Sequence, residues 1–226
     1  MSTISICYAA NRQIGVDCLK LLLEADISPT ALLLPENGSH NTQLQDLLPE
    51  IPVSIGRKIA PEKVAGSDYL ISVHFPHIIP QEIIDLPKIG TLNLHPAYLP
   101  WNRGWHTPTW AIMDGTPYGA TLHWIDEGVD TGPIALQQKI EVQDTDTANE
   151  LYQRALAVEI AVFAEAIPMI KEGVLPQIPQ EGEGTSHTKK DIQSIRELSH
   201  TMSTEELDRR TRALTTNNPD EAAYFA

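Results

Sequence analysis

Up to His95 the chain alternates short apolar, β-prone runs with segments of helical period, and few folds accommodate that order. Residues 3–9, 30–34, 53–55, 68–73 and 91–95 read as strands. Residues 12–25 read as a helix, with Ile14, Cys18, Leu21, Leu22 and Ala25 on one face. Shorter helices are expected at Gln43–Leu48 and at 79–84, with Pro80 at the first helical position of the latter. Strand following helix in this way predicts an α/β protein built on a mostly parallel, doubly wound sheet. Ligands of such sheets sit beyond the carboxyl ends of the strands.

The pattern changes after residue 104. Thr107–Met113 predicts a helix. Two β-prone runs, 119–125 and 133–140, flank an Asp/Gly loop at 126–132 and are expected to pair antiparallel, which makes the sheet mixed. Thr147-Ala-Asn-Glu150 has the capping-box pattern, opening a long amphipathic helix that runs to about Glu172 and stops at Gly173. Residues 176–190, rich in Pro, Gly, Gln and Glu, predict a loop, followed by a polar helix from Thr204 to Leu214 and the tail Tyr224-Phe225. The expected organisation is a catalytic domain over 1–175 and a small C-terminal extension over 176–226 packing on it.

Composition narrows the function classes. A chain of 226 residues, 42% hydrophobic, suits one large domain with an appendage. A net charge of −14 repels phosphate backbones and anionic lipid, so neither nucleic acid nor membrane is expected as a partner. Cys7 and Cys18 lie in apolar surroundings and read as small core residues of a reducing compartment, although the sequence leaves a disulfide open. The N-terminus has no early Lys or Arg and no long apolar core, so neither a signal peptide nor a membrane span is expected, and a cytoplasmic location is.

The chemistry is concentrated in Asn93-Leu-His95-Pro96. A strand alternates its side chains, so Asn93 and His95 share a face, and Pro96 ends the ladder beside them. An amide donor and an imidazole aimed at one point, with Asp130 downstream, suit acyl transfer: a carbonyl oxygen becomes an oxyanion and an attacking amine loses a proton. A histidine in an apolar strand is by itself more often a buried group satisfied by backbone. The surrounding residues, Leu99-Pro-Trp-Asn-Arg-Gly104 and Asp126-Glu-Gly-Val-Asp130-Thr-Gly132, argue for catalysis instead. His74, His77 and His95 lack the spacing of a zinc site, and no metal is expected.

Together these motifs resemble the 10-formyltetrahydrofolate-dependent formyltransferases, over roughly residues 68–143. Within that family, His95-Pro-Ala-Tyr-Leu-Pro-Trp-Asn-Arg-Gly104, Thr185-Ser-His-Thr-Lys-Lys-Asp191 and Arg212-Ala-Leu-Thr215 are most similar to the nucleotide-sugar N-formyltransferases. Asn218-Pro-Asp-Glu-Ala222 departs from their tail pattern. The resemblance implies a Rossmann-like formyltransferase domain with Asn93, His95 and Asp130 as catalytic triad. It implies that 10-formyltetrahydrofolate binds between the segment His74, Phe75, Pro76, His77, Ile78, Ile79 and the segment Asp126, Glu127, Gly128, mostly through backbone. It implies a nucleotide-linked 4-amino-4,6-dideoxyhexose, dTDP-linked, as acceptor for surface polysaccharide synthesis, and a homodimer. Trp101, Asn102, Arg103, Gly104, Trp105 and Trp110 would line the sugar pocket, Arg103 pairing with the diphosphate, and Tyr224 or Phe225 would stack on the base. Asp130 near His95 would favour the imidazolium.

Three other readings remain open: a glycinamide ribonucleotide transformylase, a hydrolase of the same formyl-folate, and a non-catalytic folate- or nucleotide-sugar-binding protein. The first expects a glycine-rich phosphate loop near residue 10, where Ala9-Ala-Asn-Arg-Gln-Ile-Gly15 has no glycine cluster. His106, His123 and His200 carry no argued role in any of these readings.

Overall fold

The computed structural model describes residues 4–225. In chain order the elements are β1 Ile6–Ala10, α1 Arg12–Glu24, β2 Ala31–Leu34, α2 Asn41–Leu47, β3 Val53–Ile55, α3 Pro61–Val64, β4 Tyr69–Val73, α4 Gln81–Ile84 and β5 Gly90–His95. Then follow β6 Arg103–Gly104, α5 Thr107–Asp114, β7 Tyr118–Trp124, β8 Ile134–Ile140, α6 Ala148–Glu172, β9 Ser186–His187, β10 Glu197–Leu198, α7 Thr204–Ala213 and β11 Tyr224–Phe225. The main sheet has seven strands in the order β3-β2-β1-β4-β5-β7-β8. The pairs β1–β2, β2–β3, β1–β4 and β4–β5 are parallel. Trp124 N–H donates to Pro133 O (2.8 Å), and Gly119 lies against Gln138, as antiparallel strands β7 and β8 require. The α/β class and mixed, mostly parallel sheet expected from the alternation are what the chain adopts.

The elements follow from local chemistry. Every residue of β1, β2 and β4 is buried, which is why these strands read as unbroken apolar runs rather than alternating ones. The capping box closes reciprocally: Glu150 N–H donates to Thr147 Oγ1 (3.3 Å) and Thr147 N–H to Glu150 Oε2 (2.9 Å). Gly173 takes φ +69 at the end of α6. Pro80 is the residue before α4, not its first residue; its ψ of 154 is extended, and its carbonyl accepts from the N–H of Ile83 and Ile84. The expected first strand began at Thr3, which lies outside the described residues. The four-residue α3 and the two-residue pairs β6–β9 and β10–β11 are too short to leave a period in the sequence. Both cysteines are free and buried, so no disulfide joins them.

Two compact units make up the chain, and both are discontinuous. One takes the chain up to His95 with Leu122–Leu136 and Glu159–Pro179; the other takes Pro96–Thr121, Gln137–Val158 and the residues from Gln180 on. This partition interleaves segments where the sequence suggested a single cut after residue 175. The first unit's core joins Cys7, Ala9, Leu33, Leu70, Ile79 and Ile83, with Phe75 and Ile125 packed on it. The second holds one cluster of Tyr118, Ile140, Leu151, Ala155 and Ala213, and another of Trp110, Ile192, Ile195 and Leu214. Segment 180–225 is drawn into the second unit because its apolar residues complete those clusters. Among the described residues no helix is long and apolar enough to cross a membrane.

Candidate active site

Asn93 and His95 occupy the carboxyl-terminal half of β5, His95 being its last residue. Asp130 sits in the hairpin loop after β7, with φ +54, a left-handed conformation that Asp tolerates better than most residues. Its carboxylate lies between two imidazoles, Oδ2 3.5 Å from His95 Nε2 and Oδ1 3.4 Å from His123 Nε2. The two rings stand nearly perpendicular, with centroids 6.2 Å apart. Asn93 Nδ2 is 3.3 Å from His123 Nε2. Asn93, His95 and Asp130 are thus brought together, and the group has a fourth member, His123, to which the sequence reading gave no part. The sequence shows only that it lies near the end of an apolar strand ahead of the Asp loop; that this strand lies beside β5 is a property of the sheet order.

His123 Nδ1 lies 2.8 Å from the carbonyl oxygen of Trp124, which can only accept, so Nδ1 carries a hydrogen. The ring's other nitrogen then decides the hydrogen-bond sense of its neighbours. Unprotonated, Nε2 accepts from the Asn93 amide and points one of the two Nδ2 hydrogens at itself, leaving the second for a ligand. Protonated, it donates to Asp130 and no longer accepts from Asn93. One atom cannot do both, so the His123 proton and the Asn93 amide are linked.

The loop that presents Asp130 is closed by its own residues. Asp126 Oδ1 accepts from Gly128 N–H (3.1 Å) and from Thr131 Oγ1 (2.5 Å). A Cβ on Gly132 would fall 2.0 Å from the Trp124 carbonyl oxygen, so only glycine lets the loop return onto β8. The Asp126 carboxylate is therefore engaged within the loop, while Glu127, Gly128 and Val129 are exposed. In the segment 74–79, His74 has its imidazole Nε2 2.8 Å from Glu159 Oε1 of α6. Phe75 and His77 meet edge to face at 5.2 Å, Ile79 is buried, and Ile78 at the tip is 85% exposed. Among the described residues no group of three or more His, Cys, Asp or Glu is placed to hold a metal ion.

The expected acceptor-binding residues all belong to the second unit, and several of their polar groups already have partners within it. Asn102 is buried, with φ +60; its Nδ2 donates to Pro117 O (3.0 Å) and its Oδ1 accepts from Thr116 Oγ1 (3.0 Å). Arg103 donates from Nε and Nη2 to Gln180 Oε1 (3.1 and 2.8 Å) and from Nη1 to Glu183 O. Gly104 has φ +89, and a Cβ there would meet the His187 carbonyl. Trp101 is half-buried. Trp105 is exposed, with the Lys189 ammonium 5.2 Å from its ring. Tyr224 and Phe225 are exposed, Tyr224 under the Arg196 guanidinium at 5.4 Å and Phe225 stacked on His200 at 4.8 Å.

The model of the formyl transferase family matches residues 56–167, a stretch containing the whole Asn93, His95, His123 and Asp130 group. The chain belongs to the formyl transferase family. It is 40% identical over 124 residues to the human mitochondrial 10-formyltetrahydrofolate dehydrogenase, covering 54% of this chain and 13% of that protein. It is 31% identical over 152 residues to the dTDP-4-amino-4,6-dideoxyglucose formyltransferase of Mycobacterium bovis, covering 67% of this chain and 64% of the relative. The chain thus spans less than two thirds of the length of either relative. Among solved structures, a 4-N formyltransferase from Francisella tularensis has the same fold, with a TM-score of 0.84 at 22% identity, over 98% of this formyl transferase chain and 92% of that one.

Proposed function

We propose that the protein moves a formyl group from 10-formyltetrahydrofolate to the amine of a nucleotide-linked 4-amino-4,6-dideoxyhexose, dTDP-linked, yielding a formamido sugar for surface polysaccharide synthesis. The observation that carries the reading is the Asp130 carboxylate held between His95 and His123 with the Asn93 amide alongside, inside a formyl transferase domain. The named relatives support the two substrates: one is named for 10-formyltetrahydrofolate, the other for a dTDP-linked amino sugar.

The residues present fit the donor. Two loops of the first unit carry exposed apolar side chains, Ile78 at 85% and Val129 at 53%, suited to the faces of a flat pterin. When bound, 10-formyltetrahydrofolate supplies the one-carbon electrophile. Asn93 donates an amide N–H to the carbonyl oxygen as it gains charge, and His95, when protonated, donates another. Asp130 accepts the proton that the acceptor amine loses as its nitrogen bonds to the formyl carbon, directly or through water, and returns it to N10 as the C–N10 bond breaks. His123 orients the Asn93 amide while its Nε2 is unprotonated and pairs with the Asp130 carboxylate once Nε2 carries a hydrogen. An amine needs no enzyme nucleophile, so no covalent enzyme intermediate arises.

The test is turnover. Purified protein with 10-formyltetrahydrofolate and dTDP-4-amino-4,6-dideoxyglucose is expected to release tetrahydrofolate and gain one formyl per sugar by mass spectrometry. Tetrahydrofolate release without any amine would instead identify a hydrolase. Binding of both ligands with no turnover of any amino sugar would identify a binding protein. Light scattering on the same preparation reads the expected homodimer.

A further inference from the structure

One buried acid takes no part in the chemistry above. Glu159 lies in α6, on the same stripe as the core residues Leu151, Ala155, Phe163, Ala166 and Ile170, and has no exposed surface. An apolar residue of similar size would be cheaper there, because a carboxyl group loses its hydration on burial. Oε1 meets His74 Nε2 at 2.8 Å, and Oε2 is buried with no hydrogen-bond partner among the described residues. His74 is itself unusual, with φ +52, a left-handed conformation seldom taken by residues other than glycine. Two unfavourable features therefore meet in one contact, and the sheet does not require either. The pairing of β4 with β1 and β5 is complete at Val73, one residue earlier.

What the contact governs is the direction in which the chain leaves β4. The far end of segment 74–79 is fixed separately, by Ile79 buried among the residues around Ile83. Between these anchors Pro76 and Ile78 are exposed, and Phe75 and His77 brace each other edge to face. A short loop held at both ends presents one shape, whereas a loop free at its start presents many.

We propose that Glu159 is a positioning residue for the donor site: through His74 it holds the segment 74–79 in the shape that receives the pterin, an inference that rests on the proposed folate reading of that segment. The experiment compares Glu159→Leu, Glu159→Gln and His74→Asn. Leucine fills the space without an acceptor; glutamine keeps an acceptor oxygen; asparagine tolerates a left-handed backbone and is too short to reach α6. Tetrahydrofolate binding is measured by fluorescence quenching, together with melting temperature and the KM of donor and acceptor separately. Glu159→Leu and His74→Asn are expected to weaken tetrahydrofolate binding and raise donor KM by about tenfold or more, with acceptor KM unchanged. Glu159→Gln is expected to stay within about threefold of the parent protein. If Glu159→Leu does not fold, His74→Asn carries the test alone. Unchanged donor affinity in folded His74→Asn or Glu159→Leu, whatever the melting temperature, would overturn the proposal. Failure of the unsubstituted protein to bind tetrahydrofolate would overturn the folate reading itself, and the parent measurement separates the two failures.

Discussion

At the scale of single residues, the site rests on what one nitrogen and one carboxylate can do at a time. Under the proposed function Asn93→Ala removes the donor to the developing oxyanion, and kcat is expected to fall on the order of 10²–10³-fold with little change in either KM. Steady-state kinetics over both substrates reads this, and a loss confined to KM would remove Asn93 from the transition state. His123→Leu leaves Asn93 and Asp130 in place but without their shared partner, 3.3 and 3.4 Å away. It is expected to lower kcat by roughly tenfold or more while leaving ligand affinity intact. The cysteines behave oppositely to the site residues. Burial pushes the Cys7 thiol up to about 12 and the Cys18 thiol well above its ordinary value, so the reactive thiolate is absent near neutral pH. Neither is expected to react with a thiol reagent in the native protein, and both are expected to react once urea unfolds it; rapid native labelling would contradict their burial.

At the scale of elements, the long helix and the hairpin loop show how local chemistry sets position. Thr147 and Glu150 satisfy each other's backbone N–H groups at the start of α6. Thr147→Ala is expected to cost about 1 kcal/mol, read as a lower urea midpoint at constant slope. The Asp126 clamp on Gly128 and Thr131 orders an exposed loop, so it is expected to bear on activity more than on stability. Thr131→Val, which deletes the 2.5 Å hydrogen bond to Asp126, is expected to reduce turnover with a melting temperature near that of the parent. A loss of stability with unchanged turnover would show the clamp to be structural only.

At the scale of the whole molecule, acid is expected to lower stability over two separate pH ranges. Burial holds His106 below its ordinary 6.5 despite the opposing pull of Glu221. The unfolded chain therefore takes up that proton more readily, and stability begins to fall as pH drops below about 6.5. Asp68 is held below its ordinary 3.8, chiefly by the Ser5 N–H, and Glu206 below its ordinary 4.5 by Arg210 and Arg209. Their contributions are present above those ordinary values and are lost as pH falls through the lowered ones. A melting-temperature profile from pH 8 to pH 3 is expected to show both declines, and His106→Gln to abolish the upper one. A profile flat above pH 5 in the parent protein would contradict the burial of His106.

The strands up to β5, the capped helix α6 and the Asn93–His95 face were legible in the sequence because each is local: period, capping chemistry and alternation are set by residues within a few positions of one another. Asp130 was legible through its place in a short motif. His123 was not, because its value depends on β7 lying next to β5 in the sheet order, and no local pattern encodes which strands are neighbours. Glu159 reads in sequence as one more polar residue of an amphipathic helix; only packing puts it in the core against a histidine 85 positions away. Arg103 reads as a free phosphate ligand until the chain folds and Gln180 takes its fork. Short-range sterics and hydrogen bonding thus determined the elements and the identity of the reactive groups. Their partners, and hence which of them remain available to a ligand, were decided by burial between segments far apart in the chain, where the cost of leaving a polar group unpaired selects the contact.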